Sequence, residues 1–314
     1  SINVCAVSLE RMGHFSESDE IVISSMEHHA NLIPWQELCK RTGAKLKIVN
    51  HNNDFTLNMQ DLEEKVGGKT KLVAMNHVAN TLGTIFPVKE IAKVAHDNDA
   101  LFLLDAAQSV ADFEIDVKKI DADFTVFSGH KMLGPTGVGC LYAKKDLLEK
   151  MVPYNFGGGI IKKVRYEKTD FLNNFEKFET GTLAIAQIIG LGAAVDYLEK
   201  VGMENIHEHD QKLLRHAFIK MSEIEGLNLY GTRDENKQRG ILLFEVSGVD
   251  PVDLATALDE AKNIAIRSGM HCAEPIVSSI NKEGLCRASF YLYNTIEEIN
   301  TFTDQATAIA KAIR

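Results

Sequence analysis

The sequence predicts an α/β fold: a mostly parallel sheet with helices on both faces, followed by a smaller α+β C-terminal domain. Three observations predict it. From Asp19 to Ala143, short apolar runs alternate with helically spaced segments. Those runs are nearly continuous in apolar residues, as strands buried on both faces must be. The C-terminal third changes to a mixed succession of strands and helices, suited to a second domain. The expected division is a large domain over 1–195 and a small one over 196–314.

Each element follows from local pattern. The opening SINVCAVSLERMG reads as a helix already under way, so the sequence is expected to lack an earlier segment. EIVISS (20–25) is an apolar strand, NLIPWQELCKRTG a helix stopped at Gly43, and AKLKIVN (44–50) alternates like a strand. LNMQDLEEKV follows as a helix. KLVAMNH (71–77), VKEIAKVAHDN and ALFLLD (100–105) read as strand, helix, strand; DFTVFSG (123–129) and VGCLYA (138–143) add two strands. Residues 152–182 read as loop, with glycines at 157–159, and a long helical stretch follows over about 183–224. LNLYG and GILLFEV are expected strands, PVDLATALDEAKN a helix, and NIAIRSG and CRASFYL strands. TIEEINTFTDQATAIAKAI closes the chain as an amphipathic helix, with Thr295 as N-cap and Glu298 at the capping-box position.

Composition narrows the function. The 314 residues are 45% hydrophobic and 25% charged, which is ordinary for a globular chain. A net charge of −10 opposes broad nucleic-acid binding, which needs a basic surface. The longest uncharged stretch, Thr180–Val195, is shorter than a bilayer span and reads as a buried helix, so no membrane partner is expected. Five cysteines at 5, 39, 140, 272 and 286 form no CxxC pair. They read as reduced thiols of a cytoplasmic protein without structural metal.

In such sheets ligands bind beyond the carboxyl ends of the strands. Two strand ends carry unusual residues there. ALFLL runs into Asp105, a carboxylate that burial makes costly without a partner. A protonated pyridine nitrogen is one such partner; a helix N-cap or a structural ion pair is another. FTVF runs into Ser128-Gly129-His130-Lys131. A desolvated lysine there is suited to imine formation, and Ser128 and His130 offer donors to a phosphate. Alone, Lys131 would read as a surface residue of a polar loop; with Asp105 on a neighbouring strand end the signal is much sharper.

SGHKMLGPTGVGCLY resembles the lysine segment of class V aminotransferase-fold enzymes, the cysteine desulfurases above all. MEHHAN (26–31), NHVANTLGTIFP (76–87), LLDAAQS (103–109), KFETGT (177–182), RSGMHCAEP (267–275) and LCRASFYLYNT (285–295) are similar to further segments of that family, in order, over essentially the whole chain. The closest resemblance is to the Suf-type (group II) cysteine desulfurases and selenocysteine lyases. It implies a fold-type-I transferase dependent on pyridoxal 5′-phosphate (PLP). By the same resemblance, Lys131 carries the cofactor as a Schiff base, His28 stacks on its ring and Asp105 pairs with the ring nitrogen. Gln108 bonds the phenolic oxygen, and Ser128 and His130 hold the phosphate. Thr182 reaches the phosphate of the other subunit of a homodimer. Asn80 contacts the substrate, and Arg287 grips its carboxylate. The sequence departs from the family at Met270, where a second histidine is usual, and at Leu183, where a proline is. The family's phosphate-binding, Thr-containing helix start is expected to lie in the missing segment.

The sulfur chemistry falls to Cys272, set in the polar turn SGMHCAEP, where His271 or a nearby cation could assist the thiolate. The resemblance makes Cys272 the persulfide-forming nucleophile. It would turn L-cysteine into L-alanine and pass sulfur to a Suf-type acceptor for iron–sulfur cluster assembly. Cys286 is expected to pack, because strand alternation turns it away from Arg287. Other readings stay open: a selenocysteine lyase acting on L-selenocysteine, another class V PLP enzyme, or a catalytically silent binding or assembly subunit.

Overall fold

Parallel pairing of the apolar runs forms the main sheet of the computed structural model, which describes residues 1–313. Strands β1 (Glu20–Ser24), β2 (Lys45–Val49), β3 (Thr70–Asn76), β4 (Leu101–Asp105) and β5 (Phe124–Ser128) are parallel. β6 (Gly139–Ala143) closes one edge antiparallel to β5, giving the order β2-β1-β3-β4-β5-β6. Neighbouring residues on a strand point to opposite faces, and each face meets its own core. Val73, Met75, Phe102 and Leu104 join Met26, Phe86 and Ile91 on one side. Leu72, Ala74, Leu103 and Phe124 join Leu9, Trp35 and Leu38 on the other. Both faces are therefore covered, which is why β3 and β4 carry apolar residues at consecutive positions, 72–75 and 101–104.

The covering helices are α1 (Ile2–Arg11), α2 (Ile33–Thr42), α3 (Met59–Lys65), α4 (Val88–His96), α5 (Val117–Ile120) and α6 (Lys145–Lys150). The stretch 152–182, expected as loop, contains a short ribbon of β7 (Ile161–Val164) and β8 (Thr169–Phe171). Its residues are exposed or half-buried, so no alternation marked it. The long helical stretch is two helices, α7 (Ile185–Val201) and α8 (Met203–Ser222). Gly202 separates them with φ +88°, a conformation that favours glycine. The expected boundary at 195/196 falls within α7.

An antiparallel sheet of order β11-β12-β10-β9 follows: β9 (Leu227–Tyr230), β10 (Ile241–Val246), β11 (Arg267–Gly269) and β12 (Leu285–Ser289). With α8, α9 (Pro251–Lys262) and α11 (Ile296–Ile313) it encloses a separate core around Leu213, Phe244, Leu254 and Phe302. α11 starts with the expected capping box: Thr295 N–H donates to Glu298 at 2.9 Å, and Glu298 N–H to Thr295 Oγ1 at 3.2 Å. NIAIRSG is strand only over its last three residues, and CRASFYL leaves the ladder after Ser289. A helix α10 (Glu274–Ile280), which the sequence did not suggest, follows the SGMHC turn. Its Ile276 and Val277, with Leu243 and Leu285, pack into a core of the main sheet. That packing brings the C-terminal elements onto the carboxyl ends of β3, β4 and β5.

Candidate active site

Parallel register aligns the strand ends. Asn76 stands opposite Asp105, and Asp105 opposite Val126. A cavity of about 440 Å³ opens beside them. Lys131, Asp105, His28 and Arg287 all line it, and so do Asn80, Gln108, Ser128 and His130. Eight side chains singled out from the sequence therefore share one cavity, drawn from strands far apart in the chain.

Asp105 is 7% exposed, and burial raises its carboxyl above the usual range. One oxygen accepts from Ala107 N–H at 2.9 Å, so the local turn contact is real but satisfies only that atom. Lys131 follows β5 on the 3-10 turn Gly129–Met132, and its amine makes no hydrogen bond or ion pair among the described residues. Burial lowers its pKa, opposed by the Asp105 charge. His28 is pushed down to about 4, first by burial and then by Lys131, so its ring is neutral. Its Nδ1 accepts from Ala30 N–H at 3.0 Å, which leaves the proton on Nε2. These groups suit PLP: an amine without a partner for the aldehyde, a buried carboxylate for the ring nitrogen and a neutral ring beside them. Ser128, half-buried, and His130, exposed, line the cavity with Ser1, Ile2 and Asn3.

The opposite wall comes from the C-terminal sheet. Arg287 on β12 donates through Nη1 to Asn80 O at 2.8 Å, while its Nε is buried without a partner. Burial, with Arg267 adding to it, pushes its pKa down to about 10. Asn80 donates to His271 O at 2.8 Å, and its Oδ1 is likewise buried and unpartnered. Arg267 stands directly opposite Arg287 in the antiparallel ladder and lines the same cavity. Two like charges so placed repel, and an anion between them relieves it. Sequence reading left Arg267 unassigned; the pairing of β11 with β12 is the signal that identifies it.

Cys272 lies half-buried in the turn between β11 and α10, not between two strands as expected. His271 and Cys272 have φ +53° and +55°, left-handed backbone that costs side-chain-bearing residues about 1–2 kcal/mol each. Arg267 Nη2 donates to Cys272 Sγ at 3.3 Å, so the nearby cation is Arg267. His271 does not assist: its Nε2 meets Leu285 O at 2.8 Å, and burial pushes it down to about 4. Cys286 is fully buried, bonds Pro251 O at 3.3 Å, and is pushed up to about 12 by burial. It packs on the far side of β12, as alternation predicts.

Two further features bear on the site. Beneath it lies Glu27, 3% exposed, accepting from Ser24 Oγ at 2.5 Å, Asn31 Nδ2 at 2.8 Å and Asn76 N–H at 3.1 Å. Burial pushes Glu27 up to about 7, and Asp105 adds to the effect. Thr182 is exposed and does not line the cavity of its own chain. It lies three residues before the start of α7, whose Ile185 and Ile189 are 60% and 68% exposed. The buried helix expected from Thr180–Val195 is therefore largely open on its apolar face.

Residues 1–302 match the family model described as aminotransferase class-V. A "Probable cysteine desulfurase" of Halalkalibacterium halodurans is 47% identical, aligned over 96% of this chain and 73% of that protein. A "Cysteine desulfurase" of Haloferax volcanii is 41% identical over 98% and 72%. Among solved structures, the apo cysteine desulfurase of Thermococcus onnurineus NA1 superposes with a TM-score of 0.95 at 38% identity, covering 99% of this chain and 77% of that one.

Proposed function

We propose that this chain, which belongs to the aminotransferase class-V family and is a PLP-dependent cysteine desulfurase, carries the sulfur of L-cysteine on Cys272. The observation that supports this most is the meeting of Lys131, Asp105, His28 and Arg287 at one cavity, with Cys272 tied to its Arg267 wall. PLP, when bound, would supply an electron sink for the amino-acid substrate. Lys131 would hold the cofactor through its unpartnered amine and accept the Cα proton, a task that its lowered pKa favours. Asp105 keeps the ring nitrogen protonated, and neutral His28 stacks against the ring. Gln108 bonds the phenolic oxygen, and Ser128 and His130 hold the phosphate. Arg287 takes the substrate carboxylate through its free Nε, and Asn80 orients the α-carbon.

Cys272 attacks the substrate sulfur as a thiolate. The new S–S bond forms as the Cβ–S bond breaks; its electron pair returns to Cβ, which takes up a proton, and the proton held on Lys131 goes back to Cα, so that alanine leaves. Arg267 holds the negative charge on the attacking sulfur. The exposed Thr182 and the apolar face of α7 support a homodimer in which Thr182 serves the partner's phosphate. The short turn cannot swing far, so a Suf-type acceptor protein would come to Cys272, feeding iron–sulfur cluster assembly in the cytoplasm. Among the described residues no helix is long and apolar enough to cross a membrane.

Mass spectrometry after brief exposure to L-cysteine tests this reading. One added sulfur atom is expected on the peptide containing Cys272. Cys272→Ala should keep the colour of bound cofactor and lose alanine production. An adduct on Cys286, or normal alanine output from Cys272→Ala, would refute it.

A further inference from the structure

Two adjacent histidines follow β1, and the proposed function uses only the first. His29 does not line the cofactor cavity. It reaches instead to the turn that carries Cys272, 245 positions away from Glu274 in sequence. Its backbone N–H donates to Cys272 O at 2.7 Å. Its Nε2 accepts from Glu274 N–H at 3.0 Å. One bond holds the carbonyl of the nucleophile itself; the other holds the first N–H of α10, which has no capping side chain of its own. These bonds fall where the backbone most needs them. His271 and Cys272 both sit in left-handed conformation, and such a segment persists only when its surroundings over-determine it. A relaxed turn would carry Sγ away from Arg267.

We propose that His29 is the positioning residue of the nucleophile, fixing the Cys272 turn through the Glu274 amide. This rests on the reading of Cys272 as the sulfur carrier. An accepting Nε2 places the ring proton on Nδ1, the opposite tautomer to His28, whose Nδ1 accepts from Ala30. One dipeptide thereby serves the cofactor with one ring and the nucleophile with the next.

The test is a set of three variants of the cofactor-loaded enzyme. The amide oxygen of glutamine lies as far along its side chain as Nε2, whereas that of asparagine reaches only the Nδ1 position. His29→Ala and His29→Asn should lower kcat for alanine formation by about tenfold or more, since small misplacements of a reacting group are costly. The colour of bound cofactor and the KM for L-cysteine should hold. His29→Gln should recover most of the loss. Hydrogen exchange supplies a readout free of catalysis: without cysteine, the Glu274 amide should exchange faster in His29→Ala and His29→Asn but not in His29→Gln. Full kcat in His29→Ala, unchanged Glu274 exchange, a His29→Gln enzyme as damaged as His29→Ala, or cofactor loss in parallel with kcat would each overturn the proposal. Cys272→Ala in the same series separates the two failures. Normal alanine formation by it removes the premise; its inactivity beside an unimpaired His29→Ala removes only this inference.

Discussion

Asp105 ends β4 and Lys131 follows directly on β5, so the position of each is set by the register of paired strands. Cys272 stands on a turn of two left-handed residues, tied by single hydrogen bonds to His29 and Arg267 from other elements. The cofactor side of the site therefore rests on the core, with the sheet's burial behind it. On the sulfur side the neighbours His271 and Ala273 are buried, but the Cys272 side chain itself is half-buried and held by few directional contacts. Strand ends suit groups that must stay put, while a loop suits the sulfur that, on the proposed function, is handed to another molecule. Substitutions on the two sides should accordingly fail in different ways.

The largest effect is expected at Lys131. Lys131→Ala should lower alanine formation by roughly 10²–10⁴-fold, the range for removing a positioned proton acceptor. Hydrogen exchange at the Glu274 amide should proceed at the parent rate, because the turn does not rest on Lys131. A changed exchange rate would show that the two sides are not independently held.

Acidity should separate the sides next. Glu27, bonded to Asn76 N–H at the end of β3, has a folded pKa of about 7, above its ordinary 4.5. Its protonated form contributes stability that is fully present below 4.5 and lost as pH rises through 7. His271 in the turn has a folded pKa of about 4, below its ordinary 6.5. Its neutral form contributes stability present above 6.5 and lost as pH falls through 4. Urea unfolding across this range should show Glu27→Gln gaining on the parent as pH rises, by on the order of 2–3 kcal/mol. His271→Gln should lose less than the parent on acidification. Equal slopes for parent and variants would contradict the assignment.

Arg287→Lys keeps a charge but loses the planar fork. A rise of about tenfold in KM for L-cysteine is expected, with a smaller change in kcat. Unchanged KM would move the carboxylate contact to Arg267. The smallest effect belongs to Cys286→Ala: a stability loss of roughly 1–2 kcal/mol on thermal or urea unfolding, with alanine formation intact. An inactive but stable Cys286→Ala protein would erase the distinction between the two thiols.

The main sheet, both of its covered faces, the capped last helix and most of the cavity's polar residues were legible in the amino-acid sequence alone. The sheet, its faces and the cap rest on local information: continuous apolar runs for β3 and β4, and Thr295 with Glu298 for the cap. Asp105 and Lys131 stood out at strand ends, whereas His28, Asn80, Gln108 and Arg287 were legible only through the resemblance to a family. The opposing faces of Cys286 and Arg287 follow from strand alternation, which needs no knowledge of the partner strand. What only the tertiary structure decided depends on contacts between distant segments. The β7–β8 ribbon has no buried face to impose a pattern. The open apolar face of α7 has the composition of a buried helix, and composition cannot say what covers it. Arg267 gained meaning from the ladder that sets it against Arg287, Glu27 from the burial that raises its pKa, and His29 from bonds to Cys272 and Glu274. Periodicity reports which way a side chain faces along its own element; which other element it meets is settled when the chain closes on itself.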